Sequence, residues 1–419
     1  MKSKGSYSAI VIVLVLCCAW NIAVYATENE ANSLEWHQWR GPNRDGISPE
    51  TGLLKRWSDD GPTELWRIPL GEGFSGVSIS NGRAYTMFVK SEDEIVICLE
   101  AASGKEIWRY LDDYRFENRQ GGDGPRSTPT VDGNRVYVLS AYGRLVALDA
   151  LNGKELWSHD FTKAFSSNMP RHGFSTSPII EGDLLLVETG GEFGKALVAC
   201  DKRSGKVVWS SEDDVSGYSS PITVIISGKR QTVFFTGRGL VSVSPENGEI
   251  YWRYDWPTRF NVNAATPIFI PPDKIFISSG YDMGAAVVQI KETGGQLTAT
   301  EVWTSREMKN HFSSSVLYDG YLYGFDNAFL KCIEAETGEE QWVKRGFGKG
   351  SLLYADGNLI ILGEEGNLAL AKATPTQYEE IVQMQIFDGR CWTMPTLSGG
   401  RLYLRNTEEL ICLDWSERS

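Results

Sequence analysis

Residues 147–157, "ALDALNGKELW", have near-copies along most of the chain. Each copy places a glycine turn between two short apolar runs and ends in a tryptophan. The copies are "CLEAASGKEIW" ending at Trp108, "ACDKRSGKVVW" at Trp209, "SVSPENGEIYW" at Trp252 and "CIEAETGEEQW" at Trp342, with a looser version, "QIKETGGQLTATEVW", ending at Trp303. Self-similarity at a period of roughly 40 to 50 residues indicates a repeat architecture.

Each repeat predicts four short strands. In the second repeat, "STPTV", "RVYVLSA", "LVALDA" and "ELW" are separated by the turns "DGN", "YGR" and "LNGK". Runs of β-branched and aromatic residues bounded by Gly, Asn and Asp are typical of strands and hairpins. A four-stranded sheet cannot cover both of its faces, and radial stacking of such sheets solves this problem. We therefore predict an all-β protein, a β-propeller of four-stranded antiparallel blades.

The number of repeats predicts eight blades. Eight segments open with a first and second strand, but the eighth reaches only its third strand, "ELICLDW", before the chain ends. A matching fourth strand occurs near the other end, "GPTELWRIPL", with Trp66 at the repeat position. We expect the N- and C-terminal strands to share one blade, because ring closure removes exposed strand edges. Seven blades is the alternative if the segment 343–386, which lacks the tryptophan, is irregular.

The N-terminus has the features of a signal peptide. Lys2 and Lys4 precede the apolar run "AIVIVLVLCCAW", and "VYA" at 24–26 supplies small residues for cleavage after Ala26. We predict a signal peptide at 1–26, a strap at 27–60 and a single propeller domain at 61–415, in a periplasmic or secreted monomer that does not span the membrane. The alternatives are an uncleaved membrane anchor and a lipid-modified cysteine at 17 or 18.

The charge of the chain argues against nucleic acid as a partner. Asp and Glu number 54 against 41 Lys and Arg, for a net charge of −13. Binding to phosphate backbones needs a basic face. The spacing of Cys and His predicts no zinc site, and no phosphate-binding loop or catalytic triad can be assembled.

The repeat resembles that of the PQQ-type (pyrroloquinoline quinone) β-propeller superfamily, over about residues 36–414. The superfamily contains quinoprotein alcohol dehydrogenases, which bind PQQ and calcium, and BamB-like binding propellers. The resemblance puts Glu192 at a calcium-ligand position, but places Arg238 where an Asn is expected. The stretch "TRFNVNAA", where the catalytic Asp is expected, has no carboxylate, and the only Cys-Cys pair is Cys17-Cys18. One match out of four features favours a protein without cofactor or catalytic activity.

Positively charged and polar residues occur directly before several predicted inner strands. Because the inner strands surround the central channel, we expect these residues to form a funnel that attracts anions. The candidate binding residues are Arg126, His172, Asn263, His311, Lys349, Arg390 and Trp392. The alternative is that they are solvated loop ends.

The strap sequence "WRGPNRDG" leaves two possibilities open. It covers one face of the propeller and fastens the closing blade, or it presents Trp36, Trp39, Arg40 and Arg44 as an exposed patch for a partner. The sequence as a whole favours an exported, non-catalytic scaffold, BamB-like, that binds a protein or an acidic or polar small molecule in its central funnel. The alternative is a PQQ-dependent oxidoreductase similar to the alcohol dehydrogenases.

Overall fold

Four-stranded antiparallel sheets surround a central channel in the structure, a computed structural model that describes residues 35–417. The predicted signal peptide, the Cys17-Cys18 pair and residues 27–34 of the predicted strap lie outside this range. The strap contributes β1 (Ile47–Ser48), and β2 (Glu64–Pro69) follows it. The described residues contain a single four-residue helix, α1 (Phe161–Ala164), in the loop after the second blade. No helix among residues 35–417 has the length and apolar character needed to cross a membrane.

The first four blades occupy residues 78–255, and within each blade the strands follow one another from the channel outward. Blade 1 contains β3 (Ser78–Ser80), β4 (Arg83–Lys90), β5 (Asp93–Glu100) and β6 (Glu106–Tyr114). Blade 2 contains β7 (Thr130–Asp132), β8 (Arg135–Leu139), β9 (Arg144–Asp149) and β10 (Glu155–Asp160). Blade 3 contains β11 (Ile179–Glu181), β12 (Leu184–Glu188), β13 (Leu197–Asp201) and β14 (Val207–Ser211). Blade 4 contains β15 (Ile222–Ile226), β16 (Lys229–Phe235), β17 (Gly239–Val243) and β18 (Ile250–Asp255).

The remaining blades occupy residues 268–414 together with β2. Blade 5 contains β19 (Ile268–Ile270), β20 (Lys274–Ser279), β21 (Gly284–Thr293) and β22 (Gln296–Ser305). Blade 6 contains β23 (Val316–Tyr318), β24 (Tyr321–Asp326), β25 (Phe329–Glu334) and β26 (Glu340–Lys344). Blade 7 contains β27 (Ser351–Ala355), β28 (Asn358–Leu362), β29 (Asn367–Lys372) and β30 (Glu379–Gln385). Blade 8 contains β31 (Thr396–Ser398), β32 (Arg401–Arg405), β33 (Glu409–Asp414) and, as its outer strand, β2.

The pairing of β2 with β33 confirms the predicted eight-bladed ring and its closure. The two strands are antiparallel, and Trp66 lies opposite Cys412. The segment that raised the seven-blade alternative forms a regular four-stranded blade 7, in which Val382 pairs with Leu370 at the position of the missing tryptophan. A β-branched residue can fill this half-buried strand position without the tryptophan N–H.

The repeat tryptophans explain why the quoted stretch recurs. Six of the seven donate an indole N–H to a backbone carbonyl of the next blade, as Trp108 does to Ala150 at 3.0 Å. The exception, Trp252, donates to Gln231 within its own blade. The glycine of the next turn lies against the indole ring, and a Cβ on Gly153 (φ +73°) would come within 2.6 Å of Trp108. The turn therefore needs glycine both for its positive φ and for the ring contact.

Apolar side chains form the core in layers between neighbouring blades. One layer joins Tyr85 and Val96 of blade 1 to Val136 and Leu148 of blade 2, and the next joins blades 2 and 3. This arrangement buries both faces of each sheet, as propellers require.

The strap fills one end of the channel, so the exposed-patch alternative is wrong. Arg40 and Arg44 are 1% and 2% exposed. Arg40 donates to the Ser315 carbonyl at 2.6 Å, and Arg44 donates to the carbonyls of Ser177, Pro178 and Pro221. Further along, β1 pairs in parallel with β27 as a fifth strand of blade 7. We call this end of the channel the strap end.

Candidate functional site

The loops that precede the inner strands meet at the opposite end of the channel, the loop end. A cavity of about 230 Å³ opens there. Five of the seven residues proposed from the sequence line it: Arg126, His172, His311, Lys349 and Trp392. They come from five loops that are far apart in sequence. The shared position before each inner strand places them together, as the repeat predicted.

Arg126 is held in a fixed orientation. Its guanidinium lies over the rings of Phe74 and Phe116, at 5.6 and 5.5 Å from their centroids. It donates to the carbonyls of Gly121, Gly122 and Gly124 at 2.6–3.2 Å. Burial lowers the pKa of Arg126 to about 10, so the side chain remains cationic at neutral pH. Because three of its donors are already used, Arg126 is partly a packing residue of the wall.

The two histidines of the cavity differ in their partners. His172 contacts the side-chain amide of Asn118 through Nδ1, and its ring lies 5.7 Å from that of Tyr218. His311 packs against Tyr281, and its buried Nδ1 has no hydrogen-bond partner among the described residues. Burial, together with the charges of Lys349 and His172, lowers the pKa of His311 to about 4. His311 is therefore neutral at pH 7, and its Nδ1 is a buried polar atom without a hydrogen-bond partner among the described residues.

Lys349 and Trp392 are positioned by one carboxylate. Glu364 accepts the backbone N–H of Lys349 at 2.9 Å and the indole N–H of Trp392 at 2.9 Å. No carboxylate of residues 35–417 lies within 4.0 Å of the Lys349 ammonium. The indole of Trp392 packs against Phe74 and Phe312, at centroid distances of 5.3 and 4.7 Å. The result is an aromatic wall beside an unpaired cation.

Trp39 of the strap contributes to the cavity wall, and its indole donates to Thr266 Oγ1 at 2.8 Å. Around it, hydroxyl groups link the inner strands of successive blades. The N–H of Thr128 donates to Ser177 Oγ and the N–H of Ser177 donates to Ser220 Oγ, both at 2.9 Å. These bonds make the base of the cavity rigid and connect it to the strap.

Two of the seven proposed residues lie elsewhere. Asn263 is fully buried, and its amide bonds to the Thr236 carbonyl and to Ser279 Oγ, so it lies beneath the wall and is not exposed to the funnel. Arg390 is exposed at the rim, 4.3 Å from the centroid of a Trp392 ring, and makes no ion pair with residues 35–417. Asn263 therefore supports the site structurally, while Arg390 adds positive charge at the entrance.

Sequence reasoning missed two of the aromatic residues that line the cavity, Tyr281 and Phe312. Tyr281 lies in the hairpin between the second and third strands of blade 5, and Phe312 directly follows His311. Gln120 and Gly121 belong to the loop "QGGDGPR" at 120–126, whose glycines allow the backbone to wrap around Arg126. A Cβ at Gly122 would approach Phe74 to 2.6 Å. This glycine cluster was the feature of the sequence that could have indicated a tightly packed loop at the cavity wall.

Among residues 35–417, no Asp or Glu lines the cavity, although the chain has a net charge of −13. The lining combines Arg126 and Lys349 with six aromatic side chains: Trp39, Phe74, Tyr218, Tyr281, Phe312 and Trp392. A cationic, mostly apolar concave site is suited to an anionic group with an apolar body.

Comparison with known families agrees with this architecture. A family profile described as outer membrane protein assembly factor BamB matches residues 92–344, more than half of the chain. The chain belongs to this BamB family of PQQ-type propellers. No curated protein matches the sequence.

Solved structures share the fold at low identity. BamB from Moraxella catarrhalis is 15% identical with a TM-score of 0.61, covering 85% of this chain and 98% of that one. The quinohemoprotein alcohol dehydrogenase ADHIIG from Pseudomonas putida HK5 is 13% identical with a TM-score of 0.63, covering 93% and 81%. The designed protein Ika8 is 9% identical with a TM-score of 0.59, covering 84% and 100%. These similarities describe the fold alone.

Within the BamB-family fold, the positions that correspond to the quinoprotein ligands do not fit PQQ with calcium. Glu192 is exposed and accepts a hydrogen bond from Asn168 at 3.0 Å. Arg238 faces Asp214 at 3.5 Å, which places a cation where an oxygen ligand is needed. Among residues 35–417, no three His, Cys, Asp or Glu side chains converge as metal ligands.

Proposed function

We propose that this protein is a non-catalytic binding propeller, BamB-like, that captures an acidic or polar group in the cavity at its loop end. The observation that supports this most is that the described residues lining the cavity include Arg126 and Lys349 but no carboxylate. Clustered positive charge in a concave mouth attracts anions, and a strongly acidic protein has no general reason to concentrate cations there.

The same proposal includes export from the cytoplasm. The predicted signal peptide at 1–26 and the description of the matching family as an outer membrane assembly factor support it. Sequencing the N-terminus of protein recovered from the cell envelope tests this part. A first residue at 27 agrees with the proposal, and an intact Met1 indicates a retained anchor.

To test whether positive charge captures the ligand, we change Lys349 and Arg390, which have no ion-pair partner among the described residues. Arg126 is kept, because it also packs in the cavity wall. We expect the double variant Lys349→Glu with Arg390→Glu to lose thermal stabilisation by simple dicarboxylates such as glutarate and phthalate, while its melting temperature without additive stays near that of the wild type. Stabilisation of the wild type should weaken as salt rises, because screening acts over about 8 Å at physiological ionic strength. Equal stabilisation of the wild type and the double variant would refute the proposal.

The oxidoreductase alternative is tested by calorimetry with PQQ and calcium on the exported protein. We expect no saturable heat and no rise in melting temperature, because Glu192 belongs to no cluster of three His, Cys, Asp or Glu side chains among residues 35–417. A rise that requires both PQQ and calcium, and that disappears in Glu192→Gln, would establish the quinoprotein function instead.

A further inference from the structure

A second lobe adjoins the central cavity at the loop end. This side lobe has a volume of about 220 Å³ and shares with the central cavity a wall that includes His172, Tyr218 and Tyr281. Its own contribution is Phe260, whose ring contacts Tyr281 edge-on at 5.4 Å, and Arg171 at the entrance. Both lobes contain aromatic side chains, but the central lobe adds two cations, Arg126 and Lys349, whereas the side lobe adds one, Arg171, at its entrance.

Exposed apolar side chains continue outward from the side lobe. We call Met169, Phe193, Val215, Phe260 and Tyr281 the apolar arc; each is between 40% and 80% exposed. Contacts between their loops place these five residues on neighbouring loops of the same end. Asn168, next to Met169, bonds to Glu192, next to Phe193. Ser216, next to Val215, packs against Gly190, and Val215 itself lies close to Gly237 beside Asn261.

The two features together indicate a ligand larger than a metabolite. The central lobe can hold one acidic group, and the side lobe can hold one apolar group. A small molecule that filled both lobes would still leave Met169 and Phe193 exposed to water. Apolar patches of this kind at the rim of a polar site mark contact with a macromolecule.

We infer that the loop end binds an extended polypeptide segment that places an Asp or Glu side chain in the central lobe and an apolar side chain in the side lobe, with flanking residues on the apolar arc. The inference rests on the proposed capture of acidic groups. In an extended chain, residues i and i+2 point to the same face and lie about 7 Å apart, a spacing suited to neighbouring lobes that share a wall. Glu192, which precedes Phe193 of the arc, would repel an acidic side chain there. This repulsion favours the central lobe as the site of the Asp or Glu side chain.

Selection of a displayed library of random decapeptides on the exported full-length protein tests the inference, since it requires no identified partner. Lys349→Met is used for counter-selection, because it removes the ammonium and keeps the aliphatic stem. We expect enrichment of peptides with one Asp or Glu two positions away from a large apolar residue, because only this spacing places both side chains on one face of an extended chain. No enrichment above the Lys349→Met protein overturns the inference.

Synthetic variants of an enriched peptide then test which lobe binds the acidic residue and which binds the apolar residue. Affinity is measured by fluorescence anisotropy. Replacing the acid by its amide should weaken binding about tenfold, the scale of one charge-assisted contact. The same loss should follow Lys349→Met, with no further loss when the two changes are combined. Phe260→Ser should reduce the preference for the apolar residue and leave the preference for the acid unchanged.

Matched controls are Lys105→Met and Leu151→Ser, which lie in exposed outer hairpins of blades 1 and 2 and should not change affinity. If glutarate stabilises the wild type but no peptide is enriched, the cavity binds small acids; the peptide inference is then wrong and the proposed function stands. If neither glutarate nor any peptide binds, both are wrong. Binding that Phe260→Ser and Phe193→Ser leave unchanged rules out the side lobe and the arc.

Discussion

The two ends of the central channel contain similar residue types in opposite situations. At the strap end, Arg40 and Arg44 are buried, and their guanidinium groups bond to backbone carbonyls of residues that directly precede the inner strands. At the loop end, Arg390 and Lys349 have no carboxylate within 4.0 Å among the described residues. A buried arginine whose donors are satisfied is part of the framework, while an accessible cation without a partner can still bind. The burial and partners of these residues determine their roles.

The largest effect should come from opening the ring, which destroys both ends. Deleting residues 408–419 removes β33, so that β2 and β32 lose their partner. We expect aggregation or complete loss of the cooperative thermal transition, because two strand edges become exposed. Size-exclusion chromatography and a thermal melt provide the measurement. A monomeric product that melts within about 2 °C of the full chain would contradict the closure.

The second-largest effect should be the difference in stability between variants of Arg44, at the strap end, and Arg390, at the loop end. Arg44→Met leaves the carbonyls of Ser177, Pro178 and Pro221 without their donors inside the protein. We expect a loss of about 4 kcal/mol in the free energy of unfolding, measured in urea. The matched variant Arg390→Met should change it by less than about 0.5 kcal/mol. Equal losses would remove the distinction between the two ends.

A buried acid near the loop end should make stability depend on pH. Burial raises the pKa of Glu188 to about 8, and its carboxyl accepts the Gly217 N–H at 2.8 Å. The folded state therefore favours the protonated form. Its contribution is complete below the ordinary pKa of about 4.5 and is lost as pH rises through about 8.

Glu188→Gln keeps an acceptor for Gly217 and cannot ionise. We expect its stability to match the wild type at pH 5 and to exceed it at pH 9 by on the order of 3 kcal/mol, measured by urea unfolding at both values. A difference that does not change with pH would mean that Glu188 ionises normally in the folded protein.

The smallest effect concerns how the loop end is held in place. Glu364→Gln has one carbonyl oxygen for two donors, the Lys349 backbone and the Trp392 indole. We expect a loss of about 1 kcal/mol in the free energy of unfolding. The control Glu365→Gln, at the exposed neighbouring position, should be neutral. If both variants behave alike, Glu364 does not position the aromatic wall.

Much of the fold could be predicted because its signals are local. The glycine turn before each repeat tryptophan imposes a hairpin wherever it occurs, and the count of repeats then requires eight blades. Blade 7 was harder to predict, because Val382 replaces the repeat tryptophan. The blade nevertheless has four regular strands. The strap could not be resolved between lid and exposed patch, because Arg44 finds its partners more than 130 residues away.

The sequence by itself determined the repeat, the ring, the shared blade and the convergence of Arg126, His172, His311 and Lys349 on one end. Strand register and turn geometry depend on neighbouring residues, so they can be predicted from the sequence. Only the tertiary structure decided that Asn263 is turned inward to bond with Thr236 and Ser279, and that Trp39 and Tyr281 complete the cavity. Side-chain directions in irregular loops depend on packing and hydrogen bonds with residues distant in sequence, and these contacts exist only after the blades have closed into a ring.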